Sequence, residues 1–177
     1  MVREAPLERG EHGAGPAADG WFVLNARDAR WFETELGSFT QFEGGNVHFP
    51  ELGIGLAIVQ PGRPSTMYHA EETQEDFLVL AGECMLLIEG EERRLQAWDF
   101  VHCPQWTEHV FIGAGDGPCV VLAVGARRKG RGLRYPVNEL ALRYGAGVET
   151  ETSEPGEAYA RFSAPRPVSC PTDFPSG

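Results

Sequence analysis

Six short apolar runs, at residues 54–59, 77–80, 84–88, 100–103, 109–112 and 119–124, constrain this chain more than any other feature of its sequence. They are rich in Val, Ile, Leu, Phe and Cys, and none reaches the roughly 10–12 residues of a buried helix. Tight punctuation separates them: Pro61-Gly62, Ala81-Gly82, Glu89-Gly90-Glu91, Pro104 and the Gly-Ala-Gly-Asp-Gly-Pro stretch at 113–118. Short strands broken by turn signals at roughly 8–12 residue intervals, with no helical pattern between them, predict an all-β fold, an antiparallel sandwich or barrel. No strand–helix–strand unit is visible.

The flanks are less regular. Residues 21–24 and 39–42 read as short strands that precede the barrel, with 28–36 between them as a turn or short helix. After Gly125 the strands stop. Residues 137–144 carry a helical pattern closed by Gly145, with Glu139 and Arg143 four apart. Ser153 is placed as an N-cap before a short helix through 158–162, and a tail rich in proline and serine follows. The organisation expected is a disordered leader at 1–20, a barrel with its N-terminal strands at 21–126, and a C-terminal connector, short helices and tail at 127–177.

With 177 residues at 42% hydrophobic content the chain builds one core and is too short for two ordinary domains. The apolar runs fall far short of the roughly 20 residues that span a bilayer. Residues 1–20 hold Glu4, Glu8 and Glu11 and no apolar run, so they do not read as a signal peptide, and a cytoplasmic place is expected. Cys84, Cys103, Cys119 and Cys170 lack any CxxC spacing and read as small hydrophobes, reduced in that compartment. A formal net charge of -11 opposes nucleic-acid binding. The basic cluster Arg127, Arg128, Lys129, Arg131 and Arg134 runs against that sign; it reads as a solvated connector, with a small anion patch as the alternative.

The histidines carry the chemistry. His69 and Glu71 are two apart on a predicted strand, so alternation points both to one face. Glu75 follows across a short turn, and His109 opens another strand beyond Pro104. Two imidazoles and two carboxylates converging inside a small barrel make an N2O2 site for one divalent transition metal: Zn, Mn, Fe or Ni. The alternatives are an exposed acidic hairpin, since Glu72 and Asp76 stand nearby, and a hydrogen-bonded core histidine at 109.

Gly62-x5-Tyr68-His69-x-Glu71-x3-Glu75-x6-Gly82 resembles the first motif of the cupin superfamily, and Trp98-Asp99-x4-Pro104-x4-His109 resembles its second. The resemblance covers residues 53–125 and is that of a small single-domain, type 2 cupin. It implies a double-stranded β-helix, or jelly-roll barrel, around a central metal held by His69, Glu71, Glu75 and His109. This sequence departs from the family pattern at Glu71, which stands in place of a second histidine. Trp98 and Trp106 replace two glycines, and Gly113 replaces an asparagine.

The resemblance further implies a small-molecule ligand and a homodimer that exchanges N-terminal strands. A small metalloenzyme acting on an oxygen-bearing molecule, of dioxygenase, isomerase or lyase type, is the leading expectation. A non-catalytic metabolite- or metal-binding module is the alternative. His102 and Gln74 are candidates for contacts behind the ligands, with a structural role as the other reading of His102. Tyr68 should face away from the ligands. Trp98 and Trp106 are placed at the barrel ends, and His48 is read as a loop residue.

Overall fold

A computed structural model describes residues 1–45, 47–128, 130 and 132–175. Two hairpins open the chain: β1 (Leu7–Gly10) with β2 (Gly13–Pro16), then β3 (Trp31–Thr34) with β4 (Gly37–Gln41). The barrel strands follow as β5 (Leu52–Val59), β6 (Ala70–Glu71), β7 (Glu75–Ala81), β8 (Glu83–Ile88), β9 (Glu91–Gln96), β10 (Phe100–Cys103), β11 (His109–Gly113) and β12 (Cys119–Ala126). Beyond them come β13 (Leu133–Arg134), α1 (Glu139–Arg143), α2 (Pro155–Ala158) and β14 (Arg166–Val168).

A seven-stranded sheet, ordered β10-β7-β12-β5-β4-β3-β14, packs on a three-stranded sheet, β11-β8-β9. All the ladders are antiparallel. The segment after β5 runs beside β11 through single bridges at Pro61–Gly113, Pro64–Ile112 and His69–His109, which widens the smaller sheet. Between the sheets lies a core of Val59, Phe77, Val79, Cys84, Leu86, Val101, Cys103, Phe111, Cys119 and Val121.

β11 is buried along its whole length, and alternation divides it between two cores. Phe111 faces the barrel interior, while Val110 and Ile112 pack outward with Tyr68, Leu87, Ala141 and Ala146 beneath α1. A segment that reads as one apolar run therefore joins the barrel to the C-terminal helices. Tyr68 lies in that outer cluster, on the side that alternation predicts.

The structure corrects several expectations at the periphery. Residues 7–16, inside the expected disordered leader, are a paired hairpin, because Ala14 and its neighbouring glycines are small enough to seat backbone against Ala29 and Gly44. Residues 21–24 give one bridge, Glu4–Trp21, in place of a strand. The expected turn or helix at 28–36 holds β3, whose Trp31 is fully buried under the tail residues Val168, Cys170 and Phe174. β9 has no apolar alternation and was invisible to pattern reading; Arg94 on it pairs with Glu83 across the ladder at 2.9 Å. α1 is capped by Asn138, whose side chain accepts from the Ala141 N–H at 3.0 Å, and Gly145 closes it at φ 69°. The second helix starts at Pro155 after Glu154, not on a Ser153 cap.

Candidate metal centre

The centre is built where β11 meets the segment leading into β6. His69 and His109 form a hydrogen-bonded cross-strand pair, His69 N–H donating to the His109 carbonyl at 3.2 Å and His109 N–H to that of His69 at 2.9 Å. Their rings lie 4.9 Å apart, centre to centre. Glu75 enters from the first position of β7, and its carboxylate lies 3.7 Å from His109 Nε2. One donor atom from each of His69, Glu75 and His109 falls within 4.8 Å of the others.

Both imidazoles are oriented through the other ring nitrogen. His69 Nδ1 donates to the Met67 carbonyl at 2.7 Å, and His109 Nδ1 donates to the Thr107 carbonyl at 3.0 Å. A carbonyl only accepts, so Nδ1 carries the proton in each ring and Nε2 is left as the donor nitrogen, the arrangement that fixes a metal-binding imidazole. Burial pushes the His109 pKa down to about 4, with the nearby His69 acting in the same direction. His109 is therefore neutral near pH 7, the state in which it ligates a metal. Phe77 and Phe111 wall the inner side, with ring centres 5.1 and 6.4 Å from that of His109.

The remaining candidates separate. Glu71 is buried at 9% exposure, near the Thr73 hydroxyl at 3.4 Å, and is not in the group of three. The chain changes partners at this point: His69 bridges to β11, whereas Ala70 and Glu71 pair with β13. His102 and Gln74, expected behind the ligands, both bond Asp76, at 2.7 and 2.5 Å. β10 points Val101 and Cys103 inward and His102 outward, which puts this cluster on the far face of the sheet. Burial raises the Asp76 pKa, but the His102 and Gln74 hydrogen bonds outweigh it and leave it below the usual carboxylate range.

Cys103, cross-strand from Glu75, has its thiol pushed up to about 12 by burial and then by Glu75, Asp76 and Glu89, so it stays neutral. His48 sits outside the barrel beside Glu43, at 3.4 Å. Of the basic cluster, Arg127 forks onto Glu43 and Arg134 bonds Glu108, while Lys129 and Arg131 lie outside the described residues.

Sequence reading missed one wall of the site. Tyr135, just after β13, is buried at 4% exposure with its ring centre 6.0 Å from that of His69. It packs with Met67 and Ala158. A single tyrosine in a connector without periodicity gives no pattern to read; the signal was only the pair of apolar and aromatic residues, Leu133 and Tyr135, beyond the last long strand.

Residues 55–125 match the family model for the cupin domain. Gentisate 1,2 dioxygenase 1 of Aquipseudomonas alcaligenes is 26% identical over 118 residues, 64% of this chain and 32% of that protein, so the chain spans about a third of its length. Among solved structures, a sugar phosphate isomerase of the cupin superfamily from Silicibacter pomeroyi has a TM-score of 0.52 at 21% identity, covering 75% of this chain and 81% of that one. The polyketide cyclase RemF from Streptomyces resistomycificus has a TM-score of 0.54 at 16% identity, covering 63% and 83%. These two likenesses are of fold, the jelly roll. The motif-bearing strands lie inside the matched segment, so the likeness to the cupin domain is carried by residues 55–125.

Proposed function

We propose that this chain is a mononuclear metal-binding cupin that acts on a small oxygen-bearing molecule, with His69, Glu75 and His109 as the protein ligands. The observation that carries the reading is the approach of three donor atoms to within 4.8 Å, with both imidazoles tied back through Nδ1. Two imidazoles and one carboxylate suit Fe, Mn, Zn or Ni, and with iron they are the donor set of oxygen-using enzymes. When bound, such a metal supplies Lewis acidity and open coordination positions.

The chain's own part is orientation and dryness. The Met67 and Thr107 carbonyls hold the rings, and Phe77 and Phe111 keep water from the inner side. Glu71 is the second carboxylate beside the centre, outside the ligand set. Dioxygenase chemistry is the first activity to test, since the curated relative is a gentisate dioxygenase; isomerase and lyase chemistry remain within reach of the same donors.

The alternative is a binding module without turnover, favoured by the burial of Met67 and Tyr135 over the His69 side of the site. Two surface hollows, of about 420 and 390 Å³, lie elsewhere, along Glu33–Arg166 and along Gly147–Arg161. A homodimer belongs to the reading, and so does a cytoplasmic place, which the four free cysteines suit. No helix among the described residues is long and apolar enough to cross a membrane.

Elemental analysis of untagged protein, wild type against the His69→Ala/His109→Ala double variant, tests the site. One equivalent of metal in the wild type and none in the variant is expected; no metal in either, after exposure to Fe, Mn, Zn and Ni, overturns it. Oxygen consumption by the iron-loaded protein with gentisate and other hydroxylated aromatics then separates the oxygenase from the binding module.

A further inference from the structure

The two histidines of the centre are held by different parts of the chain. The carbonyl that orients His109 belongs to Thr107, in the turn between β10 and β11. That turn is tied by Thr107 N–H and Thr107 Oγ1 to the Pro104 carbonyl, at 3.2 and 2.8 Å, and by Trp106 N–H to the Glu71 carbonyl at 2.7 Å. His109 is thus positioned from within the barrel.

The His69 backbone is pinned to β11, but its ring is oriented from outside the barrel. Its acceptor, the Met67 carbonyl, shares a peptide plane with Tyr68 N–H, and that N–H donates to the Ala146 carbonyl at 2.8 Å. The preceding peptide is held as well, because Met67 N–H donates to the Tyr159 hydroxyl oxygen at 3.1 Å. Tyr159 is in turn hydrogen-bonded by Tyr135, the ring that lies against His69. The Met67 side chain is 1% exposed, and its sulfur receives Arg161 at 3.7 Å. Every one of these partners lies between residues 135 and 161, beyond the last barrel strand.

We propose that the C-terminal segment from β13 through α2 is a working part of the metal centre, and that Tyr159 is a positioning residue which fixes the His69 imidazole through Met67. The proposal rests on the assignment of His69 as a metal ligand. Partners that orient a ligating imidazole typically change metal affinity 10–100-fold when removed. β13 reaches the His109 turn separately, through Arg134 and Glu108, but only the His69 ring is held through Met67 and Tyr159, so loosening that contact acts on one ligand and leaves the other in place. The segment thereby couples metal affinity to its own docking.

The test uses the full chain as Tyr159→Phe and Tyr135→Phe, with Tyr144→Phe as control. Tyr144 is on the same segment, but its hydroxyl bonds Glu92 at 3.0 Å, away from the centre. Two readouts are needed: cobalt(II) affinity with the visible spectrum of the cobalt protein, and the imidazole N–H signals of His69 and His109 by NMR in metal-free protein. In Tyr159→Phe, cobalt binding weakens about tenfold with a changed spectrum, and the His69 Nδ1–H exchanges faster while that of His109 does not. Tyr135→Phe shifts both readouts the same way by less, and Tyr144→Phe shifts neither.

Unchanged affinity and unchanged His69 exchange in Tyr159→Phe overturn the proposal, as do equal changes in Tyr144→Phe. If wild type binds no cobalt, the metal assignment falls. The exchange readout then still decides whether Tyr159 positions His69.

Discussion

Glu75 and Glu71 stand four residues apart on opposite sides of a tight turn, and it is Glu75 that groups with the two imidazoles, its carboxylate lying 3.7 Å from His109 Nε2. Glu75 opens β7, paired with Cys103 and Gly125, so its Cα is fixed by strands on both sides. Glu71 ends β6 and is held on β13. The two carboxylates are chemically alike and differ only in where the backbone leaves them.

That difference predicts unequal effects of one substitution. Glu75→Gln removes an anionic ligand and is expected to weaken manganese or cobalt binding by more than about a hundredfold. Glu71→Gln changes a neighbour of the site and is expected to cost at most about tenfold. Isothermal titration of both variants decides; a larger loss in Glu71→Gln would return that residue to the ligand set.

The burial of His109 predicts how the metal-free protein responds to acid. Its pKa is about 4 in the folded chain against an ordinary 6.5. As pH falls, the unfolded chain takes up the proton first, so the native state loses stability between about pH 6.5 and about pH 4 and keeps it above that window. The full effect is on the order of a few kcal/mol. Urea denaturation of metal-free protein at pH 7, 6 and 5 should show a steeper decline in wild type than in His109→Asn, which cannot titrate. Parallel declines would mean that His109 does not bear the penalty.

The barrel was legible in the sequence because its strands are half or fully buried. The six apolar runs coincide with β5, β7, β8, β10, β11 and β12, each bounded by the turn residues that separate them. What pattern reading lost were elements held by other means. β9 carries a cross-strand ion pair, Arg94 with Glu83, in place of apolar alternation, and β14 pairs with β3 despite Pro167. At the site, His69, Glu75 and His109 come together. Glu71 lies past the point where the chain changes partners, from β11 to β13. Alternation alone cannot say which face of β10 is inward, and His102 is on the outer one, beside Asp76. Tyr135 and Tyr159 make single long-range contacts, of which one sequence read alone carries no periodic trace.

β10 is an edge strand of the large sheet, and Phe100 on its outer side is 64% exposed. Phe100 lies across from Leu78, and Leu78 from Leu122, so an apolar row continues inward from the edge over half-buried side chains. An apolar row beside an unpaired edge is the type of surface that a second copy of the chain covers. Light scattering at micromolar concentration should give a dimer mass for wild type and a monomer mass for Phe100→Asp, with the monomer still folded by circular dichroism. A monomeric wild type would remove the homodimer from the reading.

Two tryptophans occupy left-handed backbone, Trp98 at φ 77° and Trp106 at φ 65°, at the positions where the cupin motif has glycine. For an L-residue this conformation costs about 1–2 kcal/mol. Glycine relieves that strain but loses about 0.4–1 kcal/mol through the freer unfolded chain. The rings decide the balance. That of Trp98 is on the surface at 74% exposure, whereas Trp106 lies close over Gly132, where an added Cβ would come within 2.6 Å of its ring. Gly132 N–H is bonded to Glu72 at 2.8 Å, so the Trp106 ring covers the start of the C-terminal segment. Trp98→Gly is therefore expected to stabilise the chain by about 0.5–1 kcal/mol, or roughly 1–4 °C in Tm. Trp106→Gly gains the same relief, loses the ring's packing and gives no rise. Thermal and urea denaturation in the Phe100→Asp background, where association no longer contributes, measures both. Equal stabilisation by the two substitutions would show that the Trp106 ring holds nothing in place.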